Sequence, residues 1–197
     1  MSATGNGSDG VFAAAVVQLN STSDTEACWQ NARDLVREAA AAGAVLVATP
    51  ENTNFLGPHE EKVERAEALD GPTCSRFAEL ARELGIHLLL GSFNERSAVP
   101  GRCHNTSVLF GPDGSRLAVY RKMHLFDIHV PGRAVLMESR TVAPGDRTVV
   151  AETALGRFGL SICYDLRFPE IYRRMALMGA RVLFVPAAFT AFTGPYH

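Results

Sequence analysis

An α/β fold with a mixed sheet is predicted by three observations. Apolar runs of strand length alternate with helix-length amphipathic segments along the 197 residues, the pattern of a sheet flanked by helices. A Gly-Pro-Asp-Gly turn at 111–114, between two β-rich runs, places an antiparallel hairpin inside that series. Hydrophobic residues make up 47% of the chain and charged residues 20%, which is apolar enough to fill one core in a domain of this size.

The opening MSATGNGSDG is small and polar, so residues 1–10 are expected to be a disordered lead-in, with one domain over 11–197. VFAAAVVQL (11–19) suits a buried strand. In TEACWQNARDLVREAAAA (25–42), Ala27, Ala32, Leu35, Val36 and Ala39 recur at helical spacing, and Gly43 supplies a stop. AVLVATPE (44–51) is a short strand running into Pro50 and Glu51. DGPT opens a helix over Pro72–Leu84 that Gly85 closes, and IHLLLGSF (86–93) is the next strand.

The hairpin follows, in NTSVLFGPDGSRLAVYRK (105–122). From 123 to 146 the periodicity vanishes, and Pro131, Gly132, Pro144 and Gly145 punctuate what is expected to be a long loop. Loops of that length in compact domains are often functional. LGRFGLSI (155–162) is a strand that runs into Cys163, a helix spans Pro169–Met178 and stops at Gly179, and RVLFVPAAF (181–189) is a final strand.

The formal charge of −2 gives no electrostatic reason to expect nucleic acid or an anionic membrane as partner. No apolar run reaches membrane-spanning length and the start lacks a basic n-region, so the expected location is the cytoplasm. Cysteines at 28, 74, 103 and 163 form no CxxC pair, which favours free thiols over disulfides or a zinc site. Neither GxGxxG nor a P-loop occurs, so no nucleotide cofactor is indicated.

Three strands end in residues able to do hydrolytic chemistry: Glu51 after VLVATP, Lys122 after LAVYR, and Cys163 after FGLSI. Strand ends in α/β sheets are rigid places to build a site. If the three converge, a Cys163 thiolate can attack a carbonyl or nitrile carbon. Glu51 can take up the thiol proton, and Lys122 can stabilise the oxyanion together with the N–H after Cys163. Against this stands the plainer reading that Cys163 is a small buried core residue. Sequence distance alone does not bring the three together.

Three blocks favour the first of these readings by resemblance. PENTNFLG (50–57), YRKMHLFD (120–127) and ICYDLRFPE (162–170) resemble, in order and at spacings of 71 and 41 residues, the motifs of the nitrilase or carbon–nitrogen hydrolase superfamily. The likeness extends from Val11 to the end of the chain. It implies an α-β-β-α sandwich; no cofactor and no metal are expected. Glu51 would be general base, Lys122 oxyanion-stabilising cation and Cys163 nucleophile. Glu138 resembles the second glutamate that positions substrate beside the lysine, and Tyr164 would supply the backbone N–H. Asp165, Arg167 and Glu170 would then be structural supports.

CYDLRFPE and KMHLFDIHVPG look most like the Nit branch, whose members act as amidases on small ω-amides such as 2-oxoglutaramate and deaminated glutathione. A carbamoyl-amide hydrolase is the nearest alternative. The resemblance also implies a homo-oligomer with a small-molecule amide as its partner. Family members are longer, so the C-terminal part of the fold is expected to be missing beyond His197. Arg133, Arg140 and Arg167 are candidates to meet a substrate carboxylate.

Other readings make separate demands. A papain-like site would use His124 or His129 as base, and a metal site would use His124, Asp127 and His129, though the spacing fits no usual ligand pattern. A non-catalytic assembly protein would keep the triad without turnover. A redox sensor would need a resolving cysteine.

Overall fold

The computed structural model describes residues 11–130, 134–189, 191 and 194, so the lead-in over 1–10 lies outside the described residues. A five-stranded sheet runs in the order β1 (Ala14–Val16), β2 (Leu46–Ala48), β3 (His87–Arg96), β4 (Cys103–Phe110) and β5 (Arg116–Arg121). β1, β2 and β3 are parallel and so need crossovers. These are α1 (Thr25–Ala41) and then the short α2 (His59–Glu64) with α3 (Pro72–Leu84). Asp24 caps α1, its Oδ1 accepting the N–H groups of Glu26 and Ala27 at 3.0 Å each.

β3, β4 and β5 are antiparallel, as the turn at 111–114 requires. A small hairpin follows, β6 (Asp127–Val130) with β7 (Ala134–Met137). The second sheet joins β8 (Val149–Thr153), β9 (Gly156–Leu160) and β10 (Val182–Phe184) in the order β10-β9-β8, and α4 (Pro169–Leu177) crosses between the parallel β9 and β10.

Side chains alternate across a strand, so the first sheet has two apolar faces. Leu88, Leu90, Val108 and Phe110 cluster with Val36 of α1 and Phe77 of α3. Leu46, Leu89, Leu109 and Tyr120, one residue out of phase, cluster instead with Phe158 and Leu160 of β9 and with Ile171 and Met175 of α4. The layers therefore read helix, sheet, sheet, helix. Gly159 lets α4 come close, since a Cβ there would stand 2.6 Å from the Met175 sulfur.

Several local expectations are corrected. The strand expected over 11–19 narrows to Ala14–Val16, because among the described residues β1 is an edge strand whose ladder is with the three residues of β2. The strand over 44–51 shortens likewise to Leu46–Ala48, and the last strand to Val182–Phe184. The supposed loop at 123–146 contains β6, β7 and a 3₁₀ turn at Glu138–Arg140. Four-residue strands alternate too briefly for their period to show. α2 and β8 were not anticipated. No helix among the described residues is long and apolar enough to cross a membrane.

Candidate active site

Glu51 is placed by a break in the sheet. The β3–β4 register shifts between Leu90 and Phe93, and the chain leaving β2 is bound to that break. Gly91 N–H donates to Thr49 Oγ1 at 2.9 Å, Ser92 N–H to Pro50 O at 3.2 Å, and Asn52 N–H to Ser92 Oγ at 2.8 Å. A Cβ on Gly91 would lie 2.0 Å from Thr49 O, so only glycine permits the approach. Asn52, at φ 56°, turns the chain in the left-handed region that asparagine tolerates. Glu51 ends up 5% exposed.

β5 delivers Lys122. Two residues beyond Tyr120 it faces the same side as that core tyrosine, and its N–H donates to Asn105 O at 2.9 Å. The ammonium is 2% exposed and donates to Glu51 Oε1 at 3.1 Å and to Glu138, whose Oε2 lies at 2.9 Å. Glu138 is brought there by the β6–β7 hairpin, and its Oε2 accepts the Phe126 N–H at 2.6 Å. Asn105 ties the carboxylates together, its Nδ2 donating to Glu51 Oε1 at 2.9 Å and Glu138 Oε1 at 3.5 Å.

Cys163 lies just past β9, at the start of a 3₁₀ turn (Cys163–Arg167), with φ 48°. For a non-glycine residue that conformation costs on the order of 1–3 kcal/mol and persists only when its surroundings fix it. The fixing group is Asp165, fully buried. Its Oδ2 accepts the Ile162 N–H at 2.8 Å and the Tyr120 hydroxyl at 2.6 Å. Its Oδ1 accepts the His124 N–H at 3.0 Å and meets His124 Nδ1 at 2.7 Å. The Cys163 N–H is used by Pro186 O at 2.9 Å. The next N–H, of Tyr164, stands in the first turn of the 3₁₀ helix, where backbone donors lack an intrahelical partner.

The electrostatics follow from two carboxylates sharing one ammonium. Burial pushes the Glu51 carboxyl up, but Lys122, the Cys163 thiol and the Ala188 N–H (2.9 Å) outweigh it and hold Glu51 below its ordinary 4.5. Burial pushes Lys122 down, and Glu51 and Glu138 more than restore it, to above its ordinary 10.5. Burial and then the Glu51 charge raise the Cys163 thiol, which Lys122 offsets only in part. Near neutral pH the set is therefore a carboxylate, an ammonium, and a protonated thiol hydrogen-bonded to Glu51.

These groups line one cavity of about 180 Å³, below the 300–1,000 Å³ or so of pockets for drug-sized ligands. Leu56, Phe126, Leu136 and Phe189 supply apolar lining. Tyr164 lines it too, edge-on to the Phe126 ring at 5.0 Å. The structure thus brings Glu51, Lys122, Glu138, Cys163 and Tyr164 together. Arg140 and Arg167 are exposed and do not line the cavity, while Arg133 lies outside the described residues. His124 is committed to Asp165 and stacks on Phe168 at 3.7 Å. Asp127 accepts the Ser139 N–H at 2.9 Å, and His129 is exposed on β6. Among the described residues the histidine-based alternatives therefore have no assembled site.

Sequence reasoning missed Asn105, Lys62 and the Ala188 N–H. An asparagine in a strand is disfavoured, so Asn105 carried a signal. Lys62, in HEEKVE, looks like part of a solvated charged face.

The carbon-nitrogen hydrolase family model matches residues 13–197. The chain is 42% identical over 189 residues to deaminated glutathione amidase of Synechocystis sp., covering 94% of this chain and 70% of that protein. It is 42% identical over 188 residues to human omega-amidase NIT2, covering 94% and 67%. The crystal structure of the C. elegans NitFhit protein superposes with a TM-score of 0.85 at 36% identity, over 92% of this chain and 45% of that one. The chain thus spans about two thirds of the length of these curated relatives and under half of NitFhit. With the helix–sheet–sheet–helix layering and the family match over nearly its whole length, the chain belongs to the carbon–nitrogen hydrolase family.

Proposed function

We infer that the chain is an amidase that hydrolyses the carbon–nitrogen bond of a small ω-amide through a Cys163 thioester. The observation supporting this most strongly is that one buried carboxylate, Glu51, touches both the Cys163 thiol and the Lys122 ammonium beside a single cavity. The ω-amide is favoured because two relatives at 42% identity are named deaminated glutathione amidase and omega-amidase.

As sulfur attacks the amide carbon, the thiol proton passes to Glu51, so no free thiolate has to exist beforehand. The former carbonyl oxygen becomes an oxyanion between the Lys122 ammonium and the Tyr164 N–H. Glu51 gives the proton to the amide nitrogen, the C–N bond breaks, and ammonia leaves a thioester on Cys163. Water then loses a proton to Glu51 as its oxygen joins the acyl carbon. Collapse expels the sulfur, which regains a proton from Glu51, and the carboxylic acid formed gives its remaining proton to solvent and departs as the carboxylate. Glu138 holds Lys122 in place and orients the amide.

The same reading places the enzyme in the cytoplasm, supported by four free cysteines. It makes 11–197 one domain and the protein a homo-oligomer, the latter supported by exposed apolar side chains such as Val16 and Leu177. Ammonia release from 2-oxoglutaramate and succinamate tests the activity. Wild type turns over. Cys163→Ala loses turnover, and Glu51→Gln and Lys122→Met each lose about a hundredfold or more. Undiminished release by Cys163→Ala would overturn the reading.

A further inference from the structure

We propose that Lys62 recognises a carboxylate on the substrate, so that the site selects amides bearing an anionic group remote from the scissile bond. This deepens the amidase reading and rests on it.

Lysine is almost never fully buried unless paired, yet Lys62 is 7% exposed on a six-residue helix of otherwise mostly exposed residues. It lines the same cavity as Cys163. Its ammonium has three donors, and the acceptor it meets is Asn52 Oδ1 at a long 3.5 Å. Among the described residues no carboxylate lies within 4.0 Å of it. The nearby carboxylates are already engaged. Glu51 is held by Lys122, Asn105 and the Ala188 N–H, and Glu138 by Lys122 and the Phe126 N–H.

A buried ammonium left this way is costly unless an anion arrives to pair with it. Of the described residues lining the cavity, Lys62 and Lys122 are the lysines, no arginine is among them, and Lys122 is committed to the carboxylates. A single ammonium balances the one charge of a carboxylate, whereas a phosphomonoester brings about 1.5–2. Asn52, fixed through its own N–H on Ser92, steadies Lys62 from the chain segment that also carries Glu51.

The competing role for Lys62 is to offset the charge of the two glutamates. The two roles part when the substrate's own charge is varied. Succinamate and butanamide differ by a carboxylate in place of a methyl group. Lys62→Met is expected to raise KM for succinamate at least tenfold, the loss of one charge-assisted contact, with kcat little changed. It should leave kcat/KM for butanamide within about twofold, and Lys62→Arg should restore most of the preference. Thermal stability should hold or rise, since an unpaired buried charge is removed. Equal losses on both amides, or no loss on succinamate, overturn the assignment.

Succinamate affinity measured calorimetrically in a Cys163→Ala background separates this from the amidase reading. A tenfold weaker Kd on adding Lys62→Met sustains the carboxylate site even if wild type releases ammonia from neither amide. An unchanged Kd sinks it even if turnover is brisk. Lys62→Gln, which keeps a polar contact to Asn52, serves as the second variant should Lys62→Met fail to fold.

Discussion

Asp165→Asn changes one oxygen into an amide NH2 beneath the Cys163 turn, and the structure fixes the consequence. Oδ2 accepts the Ile162 N–H at 2.8 Å and Oδ1 accepts the His124 N–H at 3.0 Å. Whichever position the NH2 takes, it faces a backbone donor. One hydrogen bond to a charged acceptor is lost, about 1.5–3 kcal/mol, and one buried donor is left unsatisfied, about 1–3 kcal/mol. Partial relaxation of the turn puts the net cost near 3 kcal/mol, a large part of the roughly 5–15 kcal/mol that holds a domain folded. By the same arithmetic the folded-to-unfolded ratio falls about a hundredfold. Urea unfolding followed by circular dichroism measures this as a lower midpoint at unchanged slope. Turnover under folding conditions should also fall, because Asp165, through its bonds to the Ile162 and His124 N–H groups, holds the φ 48° conformation of Cys163. A cost under about 1 kcal/mol with normal turnover would refute the claim that Asp165 fixes the turn.

Limiting iodoacetamide should label Cys163 ahead of Cys28, Cys74 and Cys103, which are all buried. Burial raises the thiols of Cys74, Cys103 and Cys163 alike, so the selectivity comes from the partial exposure of Cys163 and from Glu51, which takes up its proton as the sulfur reacts. Peptide mapping after Glu51→Gln should show slower labelling of Cys163, and uniform labelling of all four would contradict an assembled site. Glu51 titrates below its unfolded value, so the stability it contributes is present above about pH 4.5 and is lost as pH falls through the folded value. Lys122 titrates above its unfolded value, so its contribution is present below about pH 10.5 and is lost as pH rises through the folded value. Urea titrations of wild type against Glu51→Gln and Lys122→Met should show differences that shrink outside those limits. The raised Cys163 thiol predicts no thiol limb in kcat/KM between about pH 6 and 9.

The residues legible from sequence were those at the ends of strongly patterned strands. Glu51 follows a run of apolar β-formers, Lys122 follows a hairpin with an unmistakable turn, and Cys163 follows an apolar strand that stops in charge. Glu138 was harder to see, because its position depends on β6 and β7, two four-residue strands inside a stretch without periodicity. Lys62 was invisible for a different reason. A charged six-residue helix has too few turns to show an inward face, and only the tertiary structure turns one lysine of HEEKVE toward the cavity. Asp165 could be assigned a supporting role, but not its partners. Tyr120 and His124 lie 45 and 41 residues away and reach it only because the two sheets are stacked.

The central claim is that Cys163 carries the acyl group between release of ammonia and entry of water. Acid-quenching the enzyme during turnover of an ω-amide, then mapping adducts by peptide mass spectrometry, tests it most directly. An adduct of the substrate mass less ammonia is expected on the peptide containing Cys163, discharged by hydroxylamine and absent from Cys163→Ala. Steady ammonia release with no adduct on Cys163, undiminished in Cys163→Ala, would contradict it.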